Sequence, residues 1–514
     1  MLKKFAAITI VVLLVVLSGC AKDTGMGASE IENDSNKLVF TSTQSSASID
    51  PANGYSGWFT LRYGVGETLF KLDDSMKPQP WLADGYELID DNTWEIVIKE
   101  GISFHNGAEM TAEKVKTSLE RLIEINDRAP STLRIESITA EGNMLTIKTD
   151  VPNPTLINGL CDPFACIIDV DAKTDFDTAV IGTGPYMIES FLPKGNSTVV
   201  ANKSYWDGEP KLEKVELKPI TDGDTMTMAL QSGEVDATQG LPYSSHSLFE
   251  QNEDYKMSST STSRVFMIYY NFANDLLEDP VLREVIDMSI DKENYAKVLL
   301  NGSANPAIGA FPSSLPFGGD KITASDYNVD RAAKILDEAG YRDSNNDGIR
   351  EKDGKDLSFT LVTYTSRVEL PILAQAIQSQ LKDMGIEIKV EVSEDVTDRL
   401  KSGDFDLAAY AYVTSPTGDP LSYLDYVFKT DGVSNFGKYS NQEVDSLIEE
   451  LRNEFDLQKR YDLAVQIQQK AIDDKAYTFI AHLDMAFVMK KEVQGLEVHP
   501  TDYYQINVNT DLVK

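Results

Sequence analysis

The stretch from Pro80 to Leu122 constrains this chain most, because it changes periodicity within one short span. Trp94, Ile96 and Ile98 alternate with Glu95 and Val97, the period of a strand with one buried face. Glu100-Gly101 breaks the alternation, Ile102 to Phe104 resumes it, and Asn106-Gly107 supplies a tight turn. Thr111 can then cap a helix, with Glu113 in its first turn, where the backbone dipole favours an anion. Val115, Leu119 and Leu122 recur at i, i+4 and i+7 and give that helix one apolar face. Strand, turn, strand and capped helix predict a structural unit rather than a reaction centre.

Trp81, Thr93, Trp94, Gly101, Phe104, His105, Gly107, Thr111, Ala112, Val115 and Ser118 also form a recognisable signature. In order and spacing it closely resembles that of bacterial extracytoplasmic solute-binding proteins of family 5, the peptide/nickel group. Further matches follow at Gly182-Thr-Gly-Pro-Tyr186, at Asn202 with Tyr205-Trp206, and at Leu230-Gln-Ser-Gly-Glu-Val-Asp236. The resemblance runs from about Lys37 to the end. It implies an α/β, two-lobed periplasmic-binding-protein-like (type II) fold with an extra subdomain in lobe one. On that pattern 37–265 is lobe one, 266–485 is lobe two and 486–514 returns to lobe one. Ligand would lie between the lobes and favour their closure. The implied partners are the permease and ATPase of an ATP-binding-cassette (ABC) importer, and a monomer is expected.

Length and charge agree with this reading. A chain of 514 residues exceeds what one hydrophobic core usually serves. A formal net charge of -35 repels nucleic acid and anionic lipid, so no nucleic-acid partner is expected. At the start, Lys3 and Lys4 precede an apolar run from Phe5 to Leu17, which is too short to span a bilayer. Leu17-Ser-Gly-Cys20 resembles the lipobox of lipoprotein precursors. Residues 1–20 are therefore expected to be a signal peptide, with Cys20 the lipidated first residue on the outer face of the cytoplasmic membrane. A two-chain anchor there would hold stably where a single chain would not. Residues 21–36 are small and polar and read as a flexible tether.

Ligand-contacting residues are sought on loops that a rigid scaffold presents. Tyr55 and Trp58 lie in a turn-rich loop and either face the cleft or pack on the lobe surface. Leu357–Tyr364, Glu369–Met384 and the alternating Ile386–Val392 read as strand, helix and strand, a parallel crossover. Ligands of such sheets bind beyond the carboxyl ends of strands. Arg367 lies there and could hold an anionic group, or be a surface arginine near a helix start. Tyr410, Tyr412 and Asp419 end the next strand on the same side, the two tyrosines forming an aromatic wall or filling core.

The resemblance leaves the ligand open between a short peptide and a small nickel or other metal chelate. Peptide binders of the family place an Asp four residues before the Pro of a Gly-Asp-Pro-like motif, where this chain has Pro416. Nickel-chelate binders present an Arg near the segment matching Asp162 to Cys166, which is not evident here; Arg367 could replace it. No nucleophile elbow, metalloprotease helix, phosphate loop or dinucleotide fingerprint is present, so an enzyme is not expected, and no cofactor is implied. The histidines, His105, His246, His482 and His499, are scattered; His482 or His499 could face the cleft, but no metal set is assigned. Asp343, Asn345, Asp347 and Gly348 match part of a calcium loop, but Gly354 holds the position that needs Glu, so a turn into a hairpin is expected. Cys161 and Cys166 fit either a disulfide or two buried thiols. The alternative to a transport receptor is a ligand-binding lipoprotein acting as sensor or scavenger.

Overall fold

The computed structural model describes residues 36–513. The signal segment, Cys20 and all of the tether except Asn36 lie outside the described residues. An eleven-stranded mixed sheet organises the rest. In one half, strands Lys214–Pro219 and Ala237–Gln239 lie parallel on either side of Lys37–Ser42. In the other half, Ser358–Tyr364 lies parallel to both Glu387–Ser393 and Leu407–Val413, as the expected crossover requires.

Two long antiparallel strands, Tyr255–Tyr270 and Tyr477–Lys490, run through both halves. Their pairing slips between Ser261 and Val265. On one side of the slip, Tyr477–Lys490 pairs onward with Ala237–Gln239. On the other, Tyr255–Tyr270 pairs onward with Leu407–Val413. Beyond the slip successive residues bury opposite faces: Val265, Met267 and Tyr269 enter one core, Phe266, Ile268 and Tyr270 another. A strand apolar on both faces must be covered by helices on both, which explains the unbroken apolar run from Val265 to Tyr270.

The signature stretch builds a separate four-stranded antiparallel sheet, ordered Ala83–Asp90, Thr93–Ile98, Met144–Thr149, Ile135–Glu141. Trp94, Ile96 and Ile98 are buried as the alternation predicts. The Thr111 hydroxyl accepts from the Lys114 amide at 3.4 Å and caps helix Ala112–Ile125. The expected second strand at Ile102–Phe104 is reduced to one bridge, Ser103 to Glu109, because Thr93–Ile98 takes both its partners from elsewhere. The 343–348 segment is a turn: the Asp343 carboxylate accepts from the Asp347 and Gly348 amides, and a short hairpin follows. Cys161 and Cys166 are separate buried thiols, each pushed well up by burial.

Candidate functional site

A cavity of about 660 Å³ opens where the long strands slip. Thr43 and Gln44 line it just past the end of Lys37–Ser42, Gly240 past Ala237–Gln239, and Thr365 to Glu369 past Ser358–Tyr364. These are carboxyl ends of parallel strands, where backbone leaves the sheet and side chains converge. Thr262, Arg264, Asp484 and Met485 come from the long strands themselves, and Tyr243 and His246 from helix Tyr243–Glu250.

Arg367 is in this wall, where its loop position places it, and the structure adds Arg264. Among the described residues neither guanidinium has an ion-pair partner or a side-chain hydrogen bond. Burial, then the nearby Arg367, pulls Arg264 down to about 10, with Asp502 acting against them. It stays protonated at neutral pH. Asp502 also lines the cavity, but Arg62 already holds it: Arg62 Nε donates to the Asp502 carbonyl at 3.2 Å and Nη2 to its carboxylate. Asp484 is half-buried, accepts from Asn305 Nδ2 at 2.9 Å, and has no cation beside it among the described residues. Burial raises its carboxyl. The cavity thus presents two arginines and two acids, Asp484 and Glu369, that have no ion-pair partner among the described residues.

The other expected site residues form a second region. Tyr364 lies 5.4 Å from Tyr410, and Tyr410 6.4 Å from Tyr412, ring to ring. Both Tyr410 and Tyr412 also pack against the core. Tyr55 is 60% exposed and meets Trp58 edge-on at 5.6 Å. Arg128 lies over the Tyr55 ring at 4.2 Å and the Phe164 ring at 4.9 Å, and reaches both Asp162 oxygens at 3.2 and 3.3 Å. An arginine therefore does stand against the 162–166 segment, supplied from a distant point of the chain. Asp419 is not available to ligand: Arg460 Nη2 donates to both its oxygens at 2.7 Å inside the protein. None of Tyr55, Trp58, Tyr410, Tyr412 or Asp419 lines the arginine cavity.

The histidines divide differently from expectation. His246 lines the cavity, with Nδ1 at 3.4 Å from Ser303 Oγ. His482 is buried away from it and pulled down to about 4 by desolvation. His499 is fixed between the Asp73 carbonyl and Thr501. Sequence reasoning missed Arg264, Asp484 and His246. Only Arg264 left a trace, as the single charge at the edge of an apolar run.

A charged cavity between two halves of a continuous sheet, bridged by two strands, is the arrangement of a two-lobed ligand-binding protein. The model of the bacterial extracellular solute-binding proteins, family 5 (middle region), matches residues 77–435, and the chain belongs to that family. It is 32% identical over 506 residues to the nickel-binding protein NikA of Staphylococcus aureus, covering 98% of both chains. It is 26% identical over 461 residues to the oligopeptide-binding protein AppA of Bacillus subtilis, covering 85% of this chain and 84% of that one. Among solved structures it resembles S. aureus NikA in complex with Ni(L-His)2, at 31% identity and a TM-score of 0.78. That match covers 93% of this chain and 100% of the other. A nickel ABC transporter structure from Bacillus halodurans matches with the same coverage, at 32% identity and a TM-score of 0.80.

Proposed function

We propose that the chain is the ligand receptor of an ABC importer, tethered through Cys20 outside the cytoplasmic membrane, and that it takes a small carboxylate-bearing nickel chelate. Lobe one is 37–265 with 486–514, and lobe two is 266–485. The observation that carries the ligand reading is the pair Arg264 and Arg367, which line one cavity without an ion-pair partner among the described residues. A guanidinium taken from water without a partner is costly, and a ligand carboxylate offers the bidentate match. The relatives above 30% identity whose names mention nickel support a metal cargo. Among the described residues no three potential metal donors converge, so the metal would enter with its own ligands. The receptor leaves its ligand chemically unchanged, and the work of transport belongs to the partner ATPase.

Asp484 favours a second reading, a short peptide. Its unpaired carboxylate would take an ammonium group while an arginine takes the carboxylate. Titration calorimetry on residues 21–514 separates the two. Nickel with excess L-histidine binds and nickel alone does not if the first reading holds; unmodified short peptides bind, and N-acetylated ones do not, if the second does. Loss of nickel uptake on deleting the partner permease would exclude the sensor and scavenger alternatives.

A further inference from the structure

We propose that the 414–420 loop of lobe two is the latch that holds the lobes shut, seating against the 73–77 turn and Asn158 of lobe one. This rests on the two-lobe receptor reading. The loop is stiffened from within its own lobe: the Asp419 carboxylate is locked by Arg460 and caps the Leu421 amide at 2.8 Å. The 73–77 turn is stiffened from within lobe one. The Asp73 carboxylate accepts from the Ser75 and Lys77 amides, and the Asp73 carbonyl is held by His499. The two preformed surfaces meet beside apolar packing that includes Trp94 on Phe455 at 6.5 Å. Asn158 Nδ2 donates to the Thr417 carbonyl at 2.8 Å. Gly418, at φ +78°, lies so close that a Cβ would stand 2.0 Å from the Met76 carbonyl oxygen. Backbone meets backbone there only because position 418 has no side chain.

Faces that are each held rigid from within their own lobe can part without either lobe unfolding. That is what a hinge-closing receptor requires of its latch, and it couples the latch to affinity. A variant that keeps the lobes apart reduces the fraction of binding-competent molecules, and apparent affinity falls by the same factor.

Gly418→Ala tests this in residues 21–514. Gly403→Ala is the control: φ is +75° there too, but no atom lies within 4 Å of the added Cβ. Calorimetry with nickel and excess L-histidine, and small-angle scattering with and without that probe, give the readouts. Gly418→Ala is expected to weaken binding about tenfold or more and to enlarge the radius of gyration. Gly403→Ala should leave both unchanged. Asn158→Asp, which sets a carboxylate against the Thr417 carbonyl, should act in the same direction and covers the case that Gly418→Ala does not fold. If the probe fails to bind even the unaltered protein, the nickel reading falls, and the latch is judged by the scattering of the free chains alone. Unchanged dimensions and affinity in folded Gly418→Ala or Asn158→Asp, or an equal loss in Gly403→Ala, would overturn the latch.

Discussion

Arg460 and Arg264 are both guanidiniums drawn away from water, and they meet opposite circumstances. Arg460 is closed on every side: Asp419 takes it in a fork, and the Leu451 and Glu454 carbonyls take its Nη1. Arg264 faces a cavity and has no ion-pair partner or side-chain hydrogen bond among the described residues. A paired, fully hydrogen-bonded charge specifies structure, whereas an unpaired one stores a demand that a ligand can meet. On the proposed reading the contrast makes one residue type scaffold in one place and receptor in the other.

The sharpest way to break the comparison is Asp419→Asn. It strands the Arg460 charge inside the protein and should cost about 3–5 kcal/mol of stability, read as a lowered urea midpoint with little change in ligand affinity per folded molecule. A comparable loss of affinity without loss of stability would return Asp419 to the ligand site. Arg264→Met comes next and has the opposite signature. Ligand binding should weaken by about 2 kcal/mol or more, roughly thirtyfold, while thermal stability holds or rises because an uncompensated charge has gone. A destabilised variant with normal affinity would make Arg264 scaffold after all.

Glu67 supplies an intermediate case, a fully buried carboxyl held only by neutral donors. Tyr205, Thr183 and Trp206 all donate to it. Burial outweighs them and raises it to about 7. The folded state therefore binds more protons than the unfolded one between the ordinary carboxyl range and pH 7. Its stabilising contribution is present at low pH and is lost as pH rises through 7. Glu67→Gln should remove a downward slope of at most about 1.4 kcal/mol per pH unit, measured as the difference between the variant and unaltered unfolding curves at pH 5 to 8. A difference that does not change with pH would refute the assignment. The smallest effect is expected at Tyr55, exposed and in contact with Arg128. Tyr55→Ala should forfeit about 0.5–1 kcal/mol of ring–cation contact and weaken binding far less than Arg264→Met. An equal loss would move the ligand anchor to the aromatic end.

How far the sequence reaches depends on the range of the interaction involved. The buried face of Thr93–Ile98, the Thr111 cap and the crossover from Ser358 through Glu369–Asp383 to Ser393 were legible, because alternation, capping and helical period act within a few residues. Arg367 was legible as well, since a loop after a parallel strand has a known place in such sheets. Asp419 misled: its place beyond a strand end suggested a ligand contact, but its partner Arg460 lies 41 positions along the chain. Arg264 seemed only to open an apolar strand, and Arg128 had no visible link to the 162–166 segment.

The sequence alone determined the family signature, the element periods and the acidic net charge, since each is a property of neighbours or of a sum. Tertiary structure decided which arginines are satisfied and which face the cavity. Satisfaction of a charge depends on what chain closure brings within a few ångströms, and no local pattern encodes that.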